Sequence, residues 1–285
     1  MRWKTGRRST NIEDRRGRGS RMGIVGGGLG TILLILVGLY FGIDPALLMQ
    51  GVETVSVPSS PGTRPAPGDL QDDPLADMVS VVVADTEDVW TDIFTASGLD
   101  YREPTLVLFT GTTRSACGMG QAEMGPFYCP ADMKAYIDLG FYDELRNRFH
   151  APGDFAQAYV IAHEIGHHVQ NLLGLSDEVN RARQRLDPAA ANELSVRVEL
   201  QADCYAGVWA NRADRARGIL ESGDVEEALN AASAIGDDRL QREARGTVVP
   251  DTFTHGTSAQ RQRWFRVGLE SGDPNDCDTF NADRL

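Results

Sequence analysis

The stretch that most limits what this chain can fold into is Phe155-Ala-Gln-Ala-Tyr-Val-Ile-Ala-His163-Glu164-Ile-Gly-His167-His-Val-Gln-Asn-Leu-Leu-Gly174. Its centre reads H-E-x-x-H. Wound as a helix, it sets His163 and His167 one turn apart on one face. Two imidazoles at that spacing can ligate one zinc ion, and Glu164 reaches a water on the same metal. Gly153-Asp154 supplies a helix start and Gly174 a stop. The residues between are apolar on nearly every side, so the helix belongs inside a sizeable domain. Burying two histidines and a glutamate there is costly without a partner, and a metal is one. His168 sits about 100° around the helix from His167, which suits packing or hydrogen bonding better than a share in the metal.

A third protein ligand has to come from elsewhere. A second long helix, near residues 189–211, carries Glu199 and Asp203 at i and i+4, on one face. Glu199 is the candidate third ligand. Asp203 can accept a hydrogen bond from the outer nitrogen of a ligating histidine, fixing its tautomer and raising its basicity. With zinc acidifying a water and polarising a carbonyl, Glu164 is the general base. The oxyanion needs a further donor, for which His255 is the candidate, with Tyr205 or Tyr159 behind it.

The remaining sequence places this domain in context. The 285 residues carry a net charge of −13; residues 1–22 contribute eight Lys/Arg against two acids, +6, which leaves −19 for the rest. So acidic a body repels phosphates, and nucleic acid is excluded as the main partner. Residues 1–22 read as a basic, disordered cytoplasmic tail. Residues 23–43 are 21 uncharged residues, long enough for one transmembrane helix. The basic flank puts the N-terminus inside and the rest outside, as a single-pass protein of the cell membrane with an extracytoplasmic catalytic domain. Residues 44–75 form a Pro-rich linker, and residues 76–285 the domain. Four cysteines, Cys117, Cys129, Cys204 and Cys277, allow three pairings; Cys117–Cys129 and Cys204–Cys277 suit an exported domain best.

Within the domain, residues 78–94 read as an amphipathic helix, and residues 105–110, 127–128 and 135–139 as strands. Residues 116–126 read as a loop and 141–149 as a short helix. A charged loop over 176–188 precedes the second long helix. Further helices fall near 225–234, 237–244 and after Thr257 or Ser258. The expected class is α+β, mostly helical, with a small antiparallel sheet beside the active site.

H-E-x-x-H followed by a Glu-x-x-x-Asp helix resembles the gluzincin pattern of zinc peptidases. More narrowly, Cys117-Gly-Met-Gly, Gly125-Pro-Phe-Tyr-Cys129-Pro-Ala-Asp, the stretch from Gly153 through Gln170, and His255-Gly-Thr-Ser-Ala-Gln-Arg261 resemble the bacterial putative neutral zinc metallopeptidase family. The resemblance implies a zincin-like fold with His163, His167 and Glu199 on zinc and Glu164 as base. It implies a membrane-anchored endopeptidase acting on peptide or protein substrates. The competing function is a catalytically silent zincin that binds peptides; Glu164 argues against it, because a binding module has no need of a base.

Overall fold

The computed structural model describes residues 1–16, 70, 72–122 and 125–285. The apolar stretch at 23–43 and most of the linker lie outside the described residues. No helix among the described residues is long and apolar enough to cross a membrane.

A four-stranded sheet has the order β1-β2-β6-β5, where β1 is Ile12–Asp14, β2 Thr105–Phe109, β5 Phe127–Cys129 and β6 Lys134–Asp138. A hairpin of β3 (Thr112–Ser115) and β4 (Gly118–Gln121) stands apart. The antiparallel sheet expected from sequence is corrected here. β1, β2 and β6 run parallel, and only β5 runs antiparallel. Central strand β2 is apolar on both faces (Leu-Val-Leu-Phe), as a parallel strand covered on two sides requires.

Helix α1, Pro74–Ala96, begins at Asp73, whose carboxylate accepts from the Leu75 and Ala76 amides. It is buried nearly all round and packs against both long helices of the site. These are α3, Asp154–Leu172, and α5, Pro188–Arg217. α2 (Phe141–Asn147) precedes α3, and α4 (Leu175–Arg183) lies between α3 and α5 in the chain. Then follow α6 (Asp224–Ala234), α7 (Asp237–Arg245) and α8 (Ser258–Ser271). α8 starts with a capping box between Thr257 and Gln260, so the cap is Thr257 of the two residues considered.

Close helix crossings depend on glycine. A Cβ on Gly207 of α5 would lie 2.1 Å from the Phe265 carbonyl oxygen, and one on Gly268 of α8 would lie 1.9 Å from that of Cys204. The pair lets two backbones touch, which carries the first turn of α8 into the interior. Disulfides join Cys117 to Cys129 and Cys204 to Cys277, the expected pairing.

The basic arm departs from expectation. Residues 1–16 are an integral part of the domain rather than a disordered tail. β1 adds to the sheet edge with Ile12 opposite Leu106, and Ile12 is 1 % exposed. The arm's arginines meet carboxylates of the body: Arg8 meets Asp77, and Arg7 meets Glu87 and Asp88. Composition alone hid this, because the arm offers the core few apolar side chains and is held mainly by backbone pairing and ion pairs.

Candidate active site

α3 and α5 cross at the H-E-x-x-H turn. A Cβ on Gly166 would lie 3.0 Å from the Ala202 carbonyl oxygen, so this glycine sets how closely α5 approaches. That approach brings Glu199 against both histidines. Glu199 Oε2 lies 3.2 Å from His163 Nε2, and Oε1 lies 3.4 Å from His167 Nε2. One ligand atom from each of the three residues falls within 4.8 Å of the others, a group that could hold a metal ion.

The outer nitrogens are both taken. His163 Nδ1 donates to Asp203 Oδ1 at 2.9 Å, and His167 Nδ1 donates to Gln170 Oε1 at 2.9 Å. Each bond fixes the tautomer that leaves Nε2 free to ligate. Gln170 is in turn held by its amide, which donates to the Val198 carbonyl and to Gln201. Asp203 is fully buried. It accepts from Tyr159 Oη at 2.5 Å, and Arg261 grips it with Nε and Nη2, each at 2.8 Å.

Charge supports a divalent cation. With both imidazoles neutral, the carboxylates of Glu164, Glu199 and Asp203 face one guanidinium, Arg261. Two negative charges are left uncompensated, the charge of one zinc ion. The same cage acts on protons. Burial works to lower His163, yet Asp203 and Glu199 push it up to about 9. Burial works to raise Glu199, yet the two histidines hold it well below the ordinary carboxylate range.

Glu164 is 7 % exposed and lines the same cleft as His163, His167 and Glu199. Burial raises its pKa, which strengthens it as a base. The cleft measures about 680 Å³ and is walled by Phe127, Tyr128, Phe141, Phe149, Val179 and Leu240 among others. β5 is the edge strand on this side, and residues 125–128 border the cleft.

His255 stands on the cleft wall with its side chain 51 % exposed. Its backbone amide donates to Asp237 Oδ2 at 2.6 Å, and its Nδ1 faces Asp237 Oδ1 at 3.3 Å. That bond raises the imidazole pKa, while partial burial opposes it. Of the two tyrosines considered behind it, Tyr159 is committed to Asp203. Tyr205 packs edge-on against Trp90 at 5.3 Å and does not line the cleft. His168 is engaged elsewhere than at the His163–His167–Glu199 group: its Nε2 donates to the Arg102 carbonyl, and its Nδ1 accepts from Tyr128 Oη. Burial pushes His168 down to about 4, so it stays neutral.

The model of the family described as "Putative neutral zinc metallopeptidase" matches residues 1–280. The chain belongs to this family. It is 50% identical over 289 residues to the uncharacterized protein YpfJ of Escherichia coli K12, which covers 98% of this chain and 99% of that one. It is 49% identical over 192 residues to the uncharacterized protein Rv2575 of Mycobacterium tuberculosis, covering 64% of each. No solved structure matched.

Three members of the site escaped sequence reading: Arg261, Gln170 and Asp237. Arg261 and Gln170 lie inside the quoted family stretches. Gln170 stands three residues after His167 on the same helix, a spacing that could have pointed to it; Arg261 comes in only through the helix crossings. Asp237 was legible as an acid in the first turn of a helix, not as a partner of a residue 18 positions later.

Proposed function

We propose that this chain is a membrane-attached, zinc-dependent endopeptidase that hydrolyses peptide bonds with Glu164 as general base. One observation carries the reading: Glu164 lines the same cleft as an imidazole–imidazole–carboxylate trio whose ligand atoms lie within 4.8 Å of one another. His163, His167 and Glu199 would hold a zinc ion, which would supply a Lewis acid for the scissile carbonyl and lower the pKa of a water. Glu164 would accept a proton from the attacking water and return it to the leaving amine. His255, held in place by Asp237, donates to the oxyanion. Asp203, clamped by Arg261, keeps His163 Nδ1 protonated and so leaves the lone pair of Nε2 available as a ligand.

A peptide suits this cleft better than a small molecule. The outer edge of β5 offers backbone groups to an extended chain, and the aromatic and aliphatic wall offers pockets for its side chains. Residues 23–43 support attachment to a membrane, and the two disulfides support an oxidising compartment outside the cytoplasm.

The test is a peptide-library and unfolded-protein digest with the full-length chain, alongside metal analysis. Internal cleavage that stops when zinc is chelated and returns on adding it supports the proposal. A zinc-loaded chain that retains peptides without cutting any supports the silent binding module instead.

A further inference from the structure

Residues 1–16 and 72–285 share one sheet and one core. The Asn11 carbonyl accepts from the Leu106 amide at 2.8 Å, and the Arg15 amide donates to the Leu108 carbonyl at 2.8 Å. Ahead of β1, the Ser9 amide donates to the Ser80 carbonyl of α1 at 2.9 Å, and the Arg2 amide donates to the Ile219 carbonyl at 2.8 Å. Trp3 packs against the main core.

The body also needs the arm electrostatically. Glu87 of α1 is 1 % exposed. It takes its side-chain hydrogen bonds from Arg7, Ser9 and Asn11 of the arm. Without the arm, a buried carboxylate would lose these partners, a severe cost. Asp77 is gripped by two arms of the Arg8 guanidinium, at 2.9 and 2.8 Å. Arg2, Arg7, Arg8 and Arg16 meet carboxylates of the body, so four of the six basic residues in this stretch fasten the arm by ion pairs, and Arg15 donates to Thr113 and to the Arg114 carbonyl. Positive charge that reads from sequence as a membrane-topology signal is here the charge that fastens the arm to an acidic body.

We infer that the arm and the catalytic body fold together on the same side of the membrane, the arm acting as a structural strap. One crossing between residues 16 and 72 would put β1 and β2 on opposite faces. The 21 uncharged residues at 23–43 suffice for one helical crossing but not two, since each needs about 20. No net crossing therefore separates the arm from the body. The arrangement of an internal N-terminus and an external domain is replaced by one in which both lie together. This inference concerns topology and does not depend on the reaction proposed above.

The test uses the full-length chain in its native envelope. Lys4→Cys places a thiol on the exposed arm and Asp100→Cys places one on the exposed body. A membrane-impermeant maleimide is applied to intact and then lysed spheroplasts. The two positions should respond alike in both conditions. Labelling of one in intact spheroplasts and of the other only after lysis would overturn the inference. In the purified chain, Arg8→Asp should lower Tm by about 3–6 °C, and adding Asp77→Arg should restore at least half of that loss. An unchanged Tm in Arg8→Asp would overturn the docking whatever the labelling shows.

Discussion

Arg261 grips both oxygens of the Asp203 carboxylate with hydrogen bonds of 2.8 Å, and Asp203 accepts the Nδ1 proton of His163. These bonds link α8 through α5 to α3, the helix that carries His163 and His167. Arg261 is 2 % exposed and Asp203 is fully buried, so each depends on the other. Arg261→Met should therefore destabilise the fold by about 3–5 kcal/mol, because it strands a buried carboxylate. Asp203→Asn keeps the shape and should weaken zinc affinity by about 10–100-fold. Chelator competition measures the second effect; unchanged affinity would show that Asp203 serves packing alone.

Glu199→Ala should lose zinc and thermal stability together. Metal binding is coupled to folding when the ligands come from separate elements, here α3 and α5. Metal content and Tm, with and without added zinc, check this. Tight, stoichiometric zinc in the variant would remove Glu199 from the ligand set.

His255 gives a pH signature. Its pKa lies above the ordinary histidine value, through its bond to Asp237 and against partial burial. The groups that face it are Thr254, Asp237, Glu199 and Arg261. If the imidazolium is the donor, turnover should persist through pH 6.5 and fall as pH rises through the raised pKa. Stability from the Asp237 bond follows the same sign: fully present below about pH 6.5 and lost at higher pH. Asp237→Asn should shift the alkaline limb to lower pH. His255→Ala should cut kcat by about 10²–10³ without releasing zinc. An alkaline limb that stays in place in both variants would exclude His255 as the donor.

Much of this site was legible because it repeats with the helix. His163, Glu164 and His167 declare themselves by spacing, and Glu199 with Asp203 by a second i, i+4 pair on an apolar helix. Strands β2, β5 and β6 and most helices follow from apolar patterning. Three elements did not. β1 is polar and short, and its burial rests on Ile12. The β3–β4 hairpin is mostly exposed and glycine-bearing, so it reads as loop. α4 buries only Val179, so its charge pattern reads as loop as well. Arg261 was the largest omission. A fully buried arginine contradicts every composition rule until its carboxylate partner is in place.

Cys204 sits beside Asp203, and its bond to Cys277 ties α5 to the C-terminal segment. The enclosed loop spans 73 residues, for which chain entropy implies about 4 kcal/mol. Non-reducing peptide mapping of protein from its native envelope should find Cys117–Cys129 and Cys204–Cys277, and reduction should lower Tm. Four free thiols would place the body in a reducing compartment.

The central claim is that Glu164 acts on a proton and not on the metal. Glu164→Gln keeps the side chain's shape and removes its basicity. Zinc content and kcat, measured on the same preparation, therefore test the claim most directly. The variant should hold zinc at the wild-type ratio while kcat falls by about 10²–10⁴. Peptide turnover within threefold of wild type, with zinc retained, would contradict it.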